Sequence, residues 1–261
     1  MQIGVSTASL YPMHTEDALL KLAELGVENA ELFLNSTKEL EGEIFSVIKS
    51  AVKDYNMNIM SAHPFSSPME TLFLFSSYDR RVEEMLDMYK RYFAAAAELG
   101  ARIFVVHGAI LSAKCSDEVY IERLSALIGA GREYGVTVAQ ENVSYCKSGN
   151  LGFLEKLSRE MGGDIKFVLD IKQALRAGYT ASDALKVVGD KLAHLHLSDS
   201  GAECDCLPPG AGDFDFSRFF GELKALNYSG GAVVELYRSN YGEYGELVGG
   251  VERLKEIYRD L

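Results

Sequence analysis

Residues Leu192 to Ser200 read LAHLHLSDS, a short apolar alternation in the pattern of a buried strand that ends in a polar tip, with His196 at the changeover. An imidazole at that point is placed to hold a metal ion. Three other apolar runs close in the same way, on Glu141, Asp170 and Glu235. Three carboxylates and one imidazole make an oxygen-rich donor set for one divalent cation, and Mn²⁺, Mg²⁺, Co²⁺ and Zn²⁺ all suit it. Taken singly, each acidic residue has a plainer explanation as a helix cap or a solvated loop residue. Four in register, each ending an apolar run, are harder to attribute to chance.

Such a set works only if the four runs lie side by side. The β-type runs are 2–8, 30–34, 58–63, 102–107, 137–142, 166–170, 192–197 and 232–236. Between most of them lie helical patterns: one capped by Thr15, then 79–99, 116–134, 149–161, 181–188, 215–226 and 243–259. Strands alternating with helices of this length indicate βαβ units and a parallel sheet. Eight repeats favour closure into a single (β/α)₈ TIM barrel, and no G-x-G-x-x-G follows the first strand to support a dinucleotide-binding sheet. Active sites in such barrels lie at the C-terminal ends of the strands. The residues capable of chemistry fall there: His63, His107, Glu141, Asp170, His196 and Glu235. The last four are spaced 29, 26 and 39 residues apart, about one βα unit each. Alternation with period 2 puts Glu141 on the side of Ala139 and turns His194 and His196 inward, with His194 a core histidine beneath His196.

The chain has 261 residues, and a barrel of this kind typically takes about 250, so one domain spanning 1–261 is expected. No apolar run approaches the length of a membrane span, and the N-terminus lacks the basic and apolar regions of a signal peptide. A cytoplasmic protein with no membrane partner is predicted. The net charge of −12 argues against nucleic acid as a partner, because phosphate contacts call for Lys and Arg. Four cysteines are too few for a disulfide scaffold at this length, and the Cys204–Cys206 pair lacks further ligands nearby for a zinc knuckle.

The tip HLSDS resembles the HLNDS-like tip of the xylose-isomerase-like TIM barrels, which include sugar isomerases and epimerases, inosose-processing enzymes and apurinic endonucleases. SAHP, VVHGA, AQEN and VVELY match in order at the third, fourth, fifth and eighth strands, and PPGAGDFDF at 208–216 is similar to the PGxGxxDF segment after strand seven. The resemblance implies that Glu141, Asp170, His196 and Glu235 bind one divalent metal. It implies also that Glu141 and Glu235, on opposite faces of a ketose, act as acid and base. A metal that chelates a carbonyl and its neighbouring hydroxyl lowers the cost of an enediolate, and the returning proton sets epimerisation or isomerisation. In the endonuclease branch, histidines placed like His63 and His107 bind a second metal that shares Glu141. In sugar-acting relatives they hydrogen-bond substrate, which is the reading favoured here.

Two departures bear on the substrate. Where the family often reads Asp-x-x-His on strand six, this chain has Gln173, able to hydrogen-bond a substrate oxygen but a poor metal ligand. The epimerases' Arg after strand seven is missing from SGAECDC, and Arg238 or Lys172 could take its role, with a solvated surface charge as the plainer alternative. The aromatic-rich segment 65–78 suits either a lid or a patch packing against a second subunit in a homo-oligomer. The expected function is a metal-dependent isomerase or epimerase of a sugar or sugar phosphate. The alternatives are a dehydratase or lyase on a polyol-derived ketone, an endonuclease-like phosphodiesterase, and a non-catalytic sugar-binding barrel.

Overall fold

The computed structural model describes residues 1–65 and 67–261, with the side chains of Ser67 and Pro68 left aside. Eight parallel strands close into a barrel in sequence order. They are β1 (Gln2–Ser6), β2 (Asn29–Leu34), β3 (Asn58–Pro64), β4 (Ile103–Val106), β5 (Thr137–Glu141), β6 (Lys166–Asp170), β7 (Leu192–Leu197) and β8 (Gly231–Val234). The helices are α1 (Thr15–Glu24), α2 (Gly42–Asp54), α3 (Ser67–Leu72), α4 (Asp79–Glu98) and α5 (Asp117–Glu133). They continue with α6 (Leu151–Met161), α7 (Ile171–Arg176), α8 (Ala181–Val188), α9 (Phe216–Ala225) and α10 (Gly245–Arg259). The expected (β/α)₈ architecture is therefore present. Among the described residues no helix is long and apolar enough to cross a membrane.

The main apolar core lies between sheet and helices. Leu195 and Leu197 point into it, while Val105, Ala139 and Val168 form a separate small cluster of fully buried residues. Two register shifts adjust the inward set. Between Ala30 and Glu31 the pairing of β2 with β3 skips Met60, and between Phe167 and Val168 the pairing of β6 with β7 skips Ala193. An extra residue of this kind re-aims the side chains that follow it. Here those are Ser61 on β3 and His194 on β7, which meet at 3.1 Å inside the barrel.

Several local expectations change. Thr15 does not cap α1; its hydroxyl is buried and donates to the Phe33 carbonyl, and His14 occupies the cap position without a side-chain bond. Helix α2 was not expected from the sequence, although Phe45, Ile48 and Ala51 form its buried face. Its start carries no Ser, Thr or Asn cap, and Glu41 makes no capping bond there. The segment 65–78 holds the short helix α3, and of that segment Ser66 lies outside the described residues.

Candidate active site

Glu141 ends β5, Asp170 ends β6, His196 is the penultimate residue of β7, and Glu235 follows β8. Asp170 and His196 are register partners across β6 and β7. One donor atom from each of the four residues lies within 4.8 Å of the others. The AQEN stretch shows how neighbouring tips are aligned. Gln140 points away from the interior and its amide donates to the carbonyls of Val106, His107 and Glu141, while its Oε1 accepts from Tyr120. On the other side, Asn142 exchanges two hydrogen bonds with the backbone of Asp170, at 2.7 and 3.0 Å. Glu141 is thus fixed between two amides that lock β4, β5 and β6 together.

Gly108 begins the turn after His107 at φ +87°, and a Cβ there would meet the Tyr120 hydroxyl oxygen at 1.9 Å. The HLSDS and PPGAGDF stretches fold onto each other. The Asp199 carboxylate accepts from the backbone N–H groups of Ser200, Gly210, Gly212 and Phe214. A side chain at Gly212 would strike the Ser200 carbonyl oxygen at 2.6 Å. Asp199 therefore knits the loop after β7 and leaves the metal-type chemistry to His196.

His63 and His107 sit beside the quartet. Their Nε2 atoms are 2.6 Å apart, and His107 Nε2 is 3.0 Å from Glu141 Oε2. Gln173 faces the same cavity, but its Oε1 already accepts from the Ser144 N–H and hydroxyl. Arg238 does not line the cavity: its guanidinium donates to the Tyr241 and Gly242 carbonyls and lies over the rings of Tyr241 and Tyr244. His14 stays in solvent near Glu16 and Asp17. Tyr237 lines the cavity, whereas Tyr241 is buried with its hydroxyl on the Ser9 carbonyl.

Two participants, Glu31 and Glu70, lay outside the expected site, and Lys172 is bound into it differently from the expectation. Glu31, in the middle of β2, is fully buried, and its carboxylate accepts from Ser6 and Ser61 and lies 3.1 Å from His196 Nε2. A proton on Nε2 shared with Glu31 leaves His196 Nδ1 toward Glu141 and Glu235, at 3.2 and 3.5 Å, as the nitrogen for a metal. The sequence signal was a lone carboxylate inside the apolar run AELFL. Glu70, on α3, receives the backbone N–H groups of His107 and Gly108 and the Tyr89 hydroxyl. Lys172, expected at most to meet substrate or solvent, is buried with its ammonium 3.2 Å from Asp170 Oδ2 and 3.1 Å from Glu235 Oε2.

The electrostatics follow from burying four carboxylates together. Burial works against a charged His196, but Glu31, Glu235 and Glu141 around it raise its pKa well above the usual imidazole range. Burial alone would raise Glu141 and Glu31; hydrogen bonds and charge from His107 and His196, and from His196 and His63, hold them well below the usual carboxylate range. Asp170 is pushed up to about 6, by burial first and then against the pull of Lys172. His194, deeper in the barrel, is lowered to about 4 by burial. This is a cluster short of positive charge.

The donor set fits a divalent ion. Glu141 Oε2, Asp170 Oδ2 and His63 Nδ1 are buried with no well-formed hydrogen bond. Glu141 Oε2 and Asp170 Oδ2 meet only ion-pair partners, His107 at 3.0 Å and Lys172 at 3.2 Å, so both oxygens are available to turn to an ion. Above them opens a cavity of about 300 Å³, with Glu141, Glu235, His63, His107, Lys172 and Gln173 among its walls.

The profile of the xylose isomerase-like TIM barrel family matches residues 19–257. The chain belongs to that family. Among its relatives, a Methanocaldococcus jannaschii protein of uncharacterized role is 26% identical over 262 residues, covering 90% of this chain and all of the relative. A D-psicose 3-epimerase of Enterocloster bolteae is 28% identical over 97 residues, 37% of this chain and 29% of that enzyme. Several solved structures share the whole fold. A D-tagatose 3-epimerase-like protein superposes with a TM-score of 0.82 at 20% identity, covering 100% of this chain and 98% of that one. The IolI protein with a bound zinc atom gives 0.78 at 16% identity, covering 100% and 99%.

Proposed function

We propose that this family member is a divalent-metal-dependent sugar isomerase or epimerase in which Glu141 and Glu235 carry the proton. The observation that carries this reading is the strand-tip quartet, its donor atoms within 4.8 Å, with Glu141 and Glu235 lining a cavity of about 300 Å³. Glu141, Asp170, His196 and Glu235 would hold the ion, which when bound supplies Lewis-acid stabilisation of negative charge on nearby substrate oxygens. One glutamate takes the proton α to the carbonyl and the other returns one, so the two must be carboxylate and carboxylic acid in turn. His63 and His107 on one wall and the amide of Gln173 on another are placed to orient hydroxyl groups. The relatives named for tagatose and psicose epimerisation support this choice of chemistry.

The walls also bear on the substrate class. Tyr11, Phe33, Phe65, Tyr145 and Tyr237 form an aromatic collar around the mouth. Lys172 is the only Lys or Arg among the described lining residues, and its charge is already committed to Asp170 and Glu235. Apart from the ion itself, a phosphate group would meet a carboxylate-rich cavity whose one lysine is already paired, so an uncharged sugar is favoured over a sugar phosphate.

The test is deuterium uptake from D₂O into free ketoses by Mn²⁺-loaded protein, read by NMR at the carbon next to the carbonyl. Glu141→Gln and Glu235→Gln should each lower the exchange rate by about 10²–10⁴-fold with the fold retained. Wild-type-like exchange in both variants would remove the acid–base assignment. A second reading, two-metal phosphodiester hydrolysis, is favoured by one observation: His63, His107 and Glu141 form a further donor group that shares a carboxylate with the quartet. Two tightly held ions per chain together with phosphodiester cleavage would put that reading first.

A further inference from the structure

Two cavities meet at one side chain. Lys172, the second residue of α7, borders both the barrel mouth and a smaller cavity of about 160 Å³ lined in part by Leu175, Tyr179 and Asp199. Its side chain is 4% exposed, and its ammonium sits 5.0 Å from the centre of the Tyr237 ring. Burying an ammonium is costly unless opposite charge meets it. Here the opposite charge comes from Asp170 and Glu235, which are also two of the four ligands assigned above.

Asp170 leaves little choice of oxygen. Its Oδ1 accepts the Gln173 N–H and so caps α7, and Oδ2 is the oxygen that remains. That same Oδ2 lies 3.2 Å from the Lys172 ammonium. A divalent ion of this class binds carboxylate oxygen at about 2.0–2.2 Å and repels a neighbouring ammonium. Ion and lysine therefore compete for one oxygen. Four buried carboxylates (Glu31, Glu141, Asp170, Glu235) make the cluster need positive charge whether or not the ion is bound.

We propose that Lys172 is a resident counter-cation of the metal site, holding Asp170 and Glu235 together in the ion-free barrel and giving up Asp170 Oδ2 when the ion binds. The inference rests on the metal-dependent reading above. The smaller cavity gives the released side chain somewhere to go without crossing the mouth. Lys172 thereby weakens ion binding and stabilises the ion-free chain, a trade set by one nearly buried residue.

The experiment compares wild type, Lys172→Arg and Lys172→Met by calorimetric titration with Mn²⁺ and by melting temperature in chelator and in Mn²⁺. Lys172→Met should bind Mn²⁺ at least tenfold more tightly, melt at a lower temperature in chelator, and gain more from the ion than wild type does. Lys172→Arg, which keeps the charge, should bind within about threefold of wild type. Equal affinities in wild type and Lys172→Met would overturn the inference and leave the metal site standing. No Mn²⁺ binding by any of the three would overturn both. If Lys172→Met folds only with Mn²⁺ present, the inference is supported. If it does not fold at all, the ammonium ¹⁵N resonance of Lys172 in wild type decides: it should shift and broaden on loading with Zn²⁺, and an unchanged resonance overturns the inference.

Discussion

Strands β5 to β8 reach the site with residues at their last positions or just beyond, whereas β1 to β4 reach it partly from within the strand. The first group gives Glu141, Asp170, His196 and Glu235, the proposed ion ligands. The second gives His63 and His107 near the rim, and Ser6, Glu31 and Ser61 below it. Glu31 meets the quartet chiefly through His196, at 3.1 Å. One half thus presents charge to the cavity, and the other fixes the orientation and tautomer of what is presented. A barrel permits this split because inward side chains stack in layers, so a residue one layer down on one strand supports a tip residue on another.

The largest effect should separate the two halves directly. His196→Ala removes the only imidazole of the quartet, and Mn²⁺ affinity should fall by more than about 100-fold, beyond the range expected for an outer partner. Glu31→Gln keeps the volume and one of the two acceptor oxygens but weakens the anchor on His196, and a loss of about 10–100-fold is expected. Both are read by calorimetric titration. Equal losses would erase the distinction between ligand and support, and an unchanged affinity in Glu31→Gln would show that His196 needs no anchor.

The same division explains what could be read in the sequence. Each tip residue of β5 to β8 announces itself as a polar end to an apolar run, and the strand–helix alternation that frames it is the barrel's own pattern. Glu31 stands inside its run, where a single charge among apolar residues says little until His196, 165 residues away, is placed beside it. Lys172 carries no local sign of burial: Asp170 stands two residues before it, but the second carboxylate, Glu235, comes from just beyond β8. Helix α2 lacked a capping residue at its start, so its apolar face at Phe45, Ile48 and Ala51 had no boundary signal. Arg238 was expected at the substrate, yet its nearest bonds go to the two carbonyls of its own loop.

A smaller effect should come from α3, which belongs to the supporting half. Glu70 holds the backbone of His107 and Gly108 with a buried charged acceptor. Replacing it with Gln turns charge-assisted bonds into neutral ones and should cost about 1–2 kcal/mol of stability, read by denaturant unfolding. His107 would then sit less firmly beside Glu141, so turnover should drop by roughly tenfold while Mn²⁺ affinity stays as in wild type. A fall in affinity instead would move His107 from the orienting group to the ligands.

The smallest effect is expected at Arg238, just beyond β8 in the charged half. Its guanidinium closes the loop through Tyr241 and Gly242 and covers two tyrosine rings, at 4.7 and 5.1 Å from their centres. Removing it in Arg238→Ala should cost about 1 kcal/mol from the lost stacking and loop bonds. The Michaelis constant for a free ketose should change less than about threefold, because the side chain is absent from the cavity wall. A tenfold rise with stability untouched would mean that the loop opens in the working enzyme and hands the guanidinium to the substrate. The charged half would then also contribute a mobile binding group, and its contrast with the supporting half would narrow to the quartet alone.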